Sequence, residues 1–374
     1  MSIKRIAMAI FPLILLAACV EPHPIESLGI IHTRGIDLLE ENQIETTIVA
    51  FEFDSEAKEI TSIITGKGNS INEALGDASF HTRFSLTPGQ LRVELYGRET
   101  AESGILEYIA TLVRDAGVSD TMYFAVSDQT AKDLIIDGQE KLTPNIGQFI
   151  QQMIEKEINE GSIPKSSLYD FSRKAFEVGI DPILPIIAIN EERPAIIGLG
   201  VFENDKLVGE ISRDDGLLIN LFQKSPTSTP MDISIPAAPF EKYLEGKETE
   251  EIHLRLMVEG SKTRRKLVDY DSLSFDADVK IETAIFEISD AISLKNEKML
   301  ELLEKEVGKE LTRRYDKLLD QLQEVNSDQI GFGTLYNAKT RDRDLKDKEW
   351  RDKYPEITVN FNVNVEILHY GTIQ

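Results

Sequence analysis

The box Leu16-Ala17-Ala18-Cys19 constrains this chain more than any other stretch. Lys4 and Arg5 stand in front of it, and Ile6 to Ala17 form an uncharged, mostly aliphatic run of twelve residues. A basic start, an apolar middle and a small-residue end are the layout of a secretory signal. The run is well short of the ~20 residues that a spanning helix needs, which argues against an uncleaved transmembrane anchor with an incidental cysteine. Cys19 is the only cysteine in 374 residues. Residues 1–18 are therefore expected to be a lipoprotein signal peptide, cleaved before a Cys19 that carries diacylglycerol through a thioether.

Acyl burial is worth about 0.8 kcal/mol per CH2, and one chain alone holds only marginally, so two or more chains are needed for a lasting tether. Nothing else in the mature chain favours a membrane. Cleavage removes Lys4 and Arg5 and no acid, so 39 of the 41 basic residues face all 65 acidic ones and the formal charge moves from −24 to −26. An anionic leaflet attracts polybasic segments and repels such a body. The same charge excludes nucleic acid, which requires a cationic footprint. Residues 19–24 form the lipidated tether; Val20 to Pro24 reach about 18 Å at most and carry two prolines. A tether this short holds the body close over the bilayer and suits a subunit that touches integral membrane proteins.

With its one thiol acylated, the mature protein has no disulfides and must be stabilised by its core. About 355 residues suffice for two or three domains. Strands are expected at Ile44–Phe53, Glu59–Thr65, Leu91–Tyr96 and Thr121–Val126, rich in β-branched and aromatic residues. Helices are expected at 71–80, 100–115, 129–136, 146–159 and 166–178, from apolar spacings of three and four. An N-terminal α+β domain is read over residues 25–194, closing near the prolines at 182, 185 and 194. Residues 195–374 are read as a C-terminal α+β domain, with a possible split near 225–240.

That second half is expected to open with a hairpin, Ala195–Phe202 and Lys206–Ile211, followed by a helix at Gly216–Gln223. Ser225–Pro239, with four prolines, reads as a linker or an edge strand. Glu251–Gly260 and Ser272–Ser289 alternate, as antiparallel strands with one solvated face do. Apolar residues from Leu300 to Val325 make one stripe on a long helix, about 48 Å from Leu294 to Val325, that lies across a sheet or a partner helix. Ile357–Ile367 alternates again and gives a terminal strand.

Chemistry is sparse. His23, His32, His81, His253 and His369 are scattered singly, so no zinc hydrolase ligands are visible, and no metal or cofactor is expected. No Gly-x-Ser-x-Gly elbow is present and no catalytic residue is assigned. Gly66-Lys67-Gly68 lacks the rest of a phosphate loop and reads as a turn into a helix. The pairs Asp269/Asp271 and Asp276/Asp278 lack the other positions of a calcium loop and read as a strand's solvent face. Arg341–Lys353 reads as a solvated loop with Trp350 packed inward.

Several segments, in order, resemble one family. Leu28–Asp37 and the strand Ile44–Phe53 follow the lipid box; then come Gly68–Leu75, Gly89–Tyr96, Leu112–Asp115, Tyr123–Val126 and Ala131–Leu134. Gly198-Leu199-Gly200-Val201-Phe202, Lys206–Gly209 and Gly216–Leu218 follow in the second half. Asp328-Gln329-Ile330-Gly331-Phe332-Gly333, Trp350, Tyr354-Pro355, the last strand and Gly371 complete the series. These are similar to the Ger(x)C spore-germination lipoproteins over nearly the whole mature chain. Val20-Glu21 stand where that family often has Trp-Asp.

The resemblance implies a multidomain α+β fold with mixed or antiparallel sheets packed with helices, and one long helix in the C-terminal domain. It implies no enzymatic activity, and the role of C subunit in a nutrient-germinant receptor beside the integral-membrane A and B subunits. The expected location is the outer face of the spore inner membrane, anchored through Cys19. A stand-alone solute-binding lipoprotein is the alternative and requires a deep apolar pocket between domains; a secreted hydrolase is disfavoured by the missing constellations.

Overall fold

The computed structural model describes residues 25–53, 61–141, 145–223, 228–244, 249–289, 296–339 and 344–370. The signal peptide, Cys19 and the tether lie outside them, as do His23, Gly371 and the beginning of the expected strand at Glu59. The chain in order gives β1 (Leu28–Leu38), β2 (Ile44–Glu52), β3 (Thr61–Gly68), α1 (Ile71–Phe80), β4 (Ser85–Thr87), β5 (Val93–Gly97), α2 (Arg98–Ser103) and α3 (Leu106–Arg114). Then follow β6 (Tyr123–Ser127), α4 (Ala131–Lys141), α5 (Ile146–Asn159), α6 (Leu168–Phe176), β7 (Ile183–Asn190), β8 (Arg193–Glu203), β9 (Lys206–Ile211) and α7 (Arg213–Gln223). The remainder comprises β10 (Thr229–Pro236), β11 (Glu251–Asp269), β12 (Ser274–Ile288), α8 (Glu297–Glu324), α9 (Phe332–Lys339), α10 (Asp347–Lys353) and β13 (Thr358–Tyr370).

Two sheets organise these elements. The first runs β3-β2-β1-β5-β6-β7-β8-β9 with β4 beside β1; the second runs β10-β11-β12-β13. The first sheet is mixed: β1, β5, β6 and β7 are parallel, flanked by antiparallel hairpins. Residues 194 and 195 fall inside β8, so hydrogen bonding in this sheet continues to Ile211.

Helix starts follow local chemistry. Ser70 accepts the Glu73 N–H while Glu73 reaches back to the Asn69 N–H, a reciprocal cap that fixes α1 where the sequence places it. Asn145 caps α5 by accepting from Gln148. The single helix expected over 100–115 is instead two, because Gly104 takes φ +112° and ends α2. Its neighbour Asp205, in the β8–β9 turn, then accepts the Leu106 N–H and starts α3.

One face of the first sheet is covered by α1, α3 and α6 around Ile36, Tyr96, Phe124 and Phe171. The other carries α4 and α5, and its core runs on without interruption into the second sheet through α7. Helix α8 packs along the second sheet with Leu303, Val307, Leu311, Tyr315 and Leu318 buried, as its stripe requires. β10 is the edge strand anticipated around residues 225–239.

Strand β11 runs nine residues beyond the expected Gly260, to Asp269. β12 is antiparallel to β11 but parallel to β13, with α8, α9 and α10 as the crossover between them. Asp276 and Asp278 lie on that strand pair's outer face and accept from the Asn360 and Asn362 amides, while Asp269 caps the hairpin turn by accepting from Ser272. Trp350 is buried as expected, on α10 instead of a loop. No helix among the described residues is long and apolar enough to cross a membrane.

Candidate functional site

Asp181 stands one residue before Pro182, at the entrance to β7, inside the otherwise apolar stretch Ile180–Ile189. Its carboxylate is buried and receives both Nη atoms of Arg351 from α10, each at 2.6 Å. This two-pronged geometry is the strongest form of ion pair a guanidinium makes. Asp181 also accepts the Asn204 N–H at 3.0 Å and the Asp328 N–H at 2.7 Å. Three other segments, around Asn204, Asp328 and Arg351, thus meet on the Asp181 carboxylate.

Asp328 uses its own carboxylate to build the next turn. Oδ1 accepts from Gly331 and Phe332, and Oδ2 from Gly333, which winds Asp328–Gly333 into the start of α9. Beside it, Ser327 donates to the Phe202 carbonyl at 2.7 Å and Gln329 donates to the Pro182 carbonyl at 2.7 Å. The ends of β7 and β8 in the first sheet are thereby bonded to the segment that follows α8. Gly333 is required by packing: a Cβ there would lie 2.4 Å from the Gly179 Cα and 2.5 Å from the Trp350 ring. Gly179 itself has φ +89°, in the left-handed region that favours glycine.

Burial pushes the Asp328 carboxyl up to about 6, against its three backbone donors. Burial also lowers the Lys174 ammonium, on α6, to about 8, while Asp170, Asp181 and Asp328 favour its charge. Arg351 is held protonated well above the ordinary range by Asp181, Asp347 and Glu203, in spite of its burial. Two acids and two bases therefore share a dry joint between the sheets. The arrangement ties β7 and β8 of the first sheet to the segments that follow α8.

Lys174 yields a signed prediction. Its folded pKa lies below the unfolded value, so folding is penalised below pH 8 and the penalty fades as pH rises towards 10.5. Lys174→Met should thus gain on the wild type most at pH 7, and the gap should close by up to about 1.4 kcal/mol per pH unit between 8 and 10. Urea unfolding of both proteins at pH 7 and pH 10 measures it, and an unchanged gap would refute the assignment.

Of the residues singled out in the sequence, Asp328, Gly331, Phe332, Gly333, Trp350 and Tyr354 are brought together at this joint. Lys174, Asp181 and Arg351 were not legible as partners; the one signal was an aspartate embedded in an apolar run. A second buried pair, Arg34 and Glu94, sits in the middle of the first sheet at 2.6 Å, with the Tyr96 hydroxyl donating to the same carboxylate. The histidines are apart: His32 is buried against Gln151 and burial lowers its pKa, whereas His81 and His253 make separate surface contacts. No cluster of three or more His, Cys, Asp or Glu that could hold a metal occurs among the described residues.

Comparison with known proteins finds two family models end to end along the chain. A spore germination protein N-terminal domain matches residues 21–189, and a spore germination B3/GerAC-like C-terminal domain matches residues 197–371. The chain is 22% identical over 372 residues to spore germination protein GerQC of Bacillus cereus, covering 99% of this chain and 100% of that one. The fold matches the crystal structure of the GerBC protein with a TM-score of 0.56 at 18% identity, covering 92% of this chain and 100% of that one.

Proposed function

This chain belongs to the Ger(x)C family of spore germination proteins, and from that premise we propose that it is the lipid-anchored C subunit of a nutrient-germinant receptor. The observation that carries the reading is the pairing of both family domains, in order, in one chain whose whole length is matched by GerQC. In this reading Cys19 bears the diacylglycerol and the folded body lies on the outer face of the spore inner membrane. Its neighbours there are the integral-membrane A and B subunits. The chain works as a non-enzymatic scaffold, and its buried joint keeps the two sheets in register with each other.

Deleting the gene tests this directly. Growth and sporulation should be normal, and germination in response to the cognate nutrient should fall to a small fraction of wild type, followed as loss of optical density. Spores of a strain without a paralogue that germinate normally with every candidate nutrient would overturn the reading.

A further inference from the structure

The buried ion pair of Arg34 and Glu94 leaves one donor over. Glu94 Oε2 accepts from Arg34 Nε at 2.9 Å and from Nη2 at 2.6 Å, and Oε1 accepts the Tyr96 hydroxyl at 2.9 Å. Arg34 is 6% exposed and Glu94 0%. A guanidinium spreads its N–H donors over three nitrogens. The third of these, Nη1, donates to no group among the described residues. Yet it is not walled in by protein.

Arg34 lines a cavity of about 40 Å³ between β1, α1 and α3. A bulge in β1, between Ile31 and Thr33, brings it there. Ile31 and Arg34 are three residues apart and would point to opposite faces of a regular strand, whereas both line this cavity. The remaining walls are mostly carbon, with Ile71 and Leu75 from α1 and Leu112 from α3. Asn72 and Asp115 are exposed and stand at the rim. The Thr111 hydroxyl already donates to the Glu107 carbonyl.

We propose that this cavity binds a small uncharged molecule with a carbonyl oxygen on a short apolar body. The oxygen accepts from Arg34 Nη1 and the body lies against Leu75 and Leu112. One water needs about 10–15 Å³ on the same measure, so the enclosed part takes roughly three or four heavy atoms. Charge decides the class. Arg34 and Glu94 compensate each other, so an anion on Nη1 would bring an unpaired charge into a dry site, at a cost that burial makes large. Asp115 at the rim repels it further. A cation would meet a donor, and a hydroxyl would bring a donor of its own that carbon walls cannot match. Water needs two to four polar partners and finds one at the floor, so it is weakly held and displaced with gain. The site is separate from the joint at Asp181 and holds whether or not the chain is a receptor subunit.

Acetone and acetate, alike in size and shape and different in charge, test it. Saturation-transfer NMR is run on the full-length lipidated chain in nanodiscs of uncharged lipid, with empty nanodiscs as the blank. Acetone should give a saturable signal with Kd about 1 mM, the affinity so few atoms allow, and acetate should bind at least tenfold more weakly. Arg34→Lys keeps a positive charge beside Glu94 but has one nitrogen in place of three. Val118→Phe, at a residue that lines the cavity from the loop after α3, fills the opening and leaves the ion pair alone. Each variant should match wild type in circular dichroism and weaken acetone at least tenfold; if Arg34→Lys does not fold, Val118→Phe decides. Acetate that binds as tightly as acetone overturns the uncharged class. No saturable acetone signal in wild type, or an unchanged one in Val118→Phe, overturns the site.

Discussion

Arg351→Ala should lower the stability of the folded chain by about 3–5 kcal/mol, the loss expected when one partner of a buried ion pair is removed and the other stays charged. Arg351 supplies two 2.6 Å bonds to Asp181, a 3.0 Å bond to the Asn326 carbonyl and a 3.1 Å bond to Asn204. Without it, Asp181 keeps only backbone donors from Asn204 and Asp328, and faces the Asp328 carboxyl with one cation fewer. The pair Asp181→Asn with Arg351→Met removes both charges and should cost less than Arg351→Ala alone. Urea unfolding of the three proteins reads both quantities. A loss below 1 kcal/mol for Arg351→Ala, or a double variant weaker than the single one, would show that the joint is not held by this pair. The amides of Gly331 and Gly333, which donate to Asp328, should lose exchange protection in the same variant.

Cys19→Ala should release the chain from the membrane almost completely. In the proposed reading Cys19 is the anchor, and the body it carries, at −26 once residues 1–18 are removed, is repelled by an anionic leaflet. Two acyl chains at about 0.8 kcal/mol per CH2 give stable attachment, which one chain alone does not. The variant should fold as wild type, because every described contact begins at or after Ile25. Fractionation of spore lysates should move it from the pellet to the supernatant, with the membrane subunits no longer recovered and nutrient germination falling as in the deletion. A variant that stays in the pellet and supports normal germination would remove the tether from the account.

Much of the fold was legible because it is written locally. Residues 71–80 and 146–159 were readable to the residue, since Ser70 and Asn145 are cap residues followed by apolar residues three and four apart. The break at Gly104 was hidden because the left-handed turn there leaves no mark in the apolar spacing of residues 105–113, and the Asp205 that restarts the helix lies a hundred residues on. The far half of β11 was hidden for the opposite reason. Ser261–Asp269 is charged on both faces and takes its strand form from pairing with β12, not from a buried side. The parallel partnership of β12 and β13 also left no mark, because alternation looks the same in both directions. The 28 residues of α8 between them supply the crossover that parallel strands need.

The joint was half visible. Asp328–Gly333 stood out as a segment, since its glycines and aspartate serve one another within five residues. Asp181 and Arg351 are 170 positions apart, and neither has a local reason to be where it is. Only the three-dimensional path of the chain, bringing the start of β7 against α10, makes them a pair.

The most direct test of the whole account is the mass of the N-terminal peptide of this chain isolated from spore membranes. The account predicts a mature protein that begins at Cys19 and carries diacylglycerol on its sulfur. A free thiol at Cys19 in protein that washes off the membrane, or a chain that still begins at Met1, would contradict it.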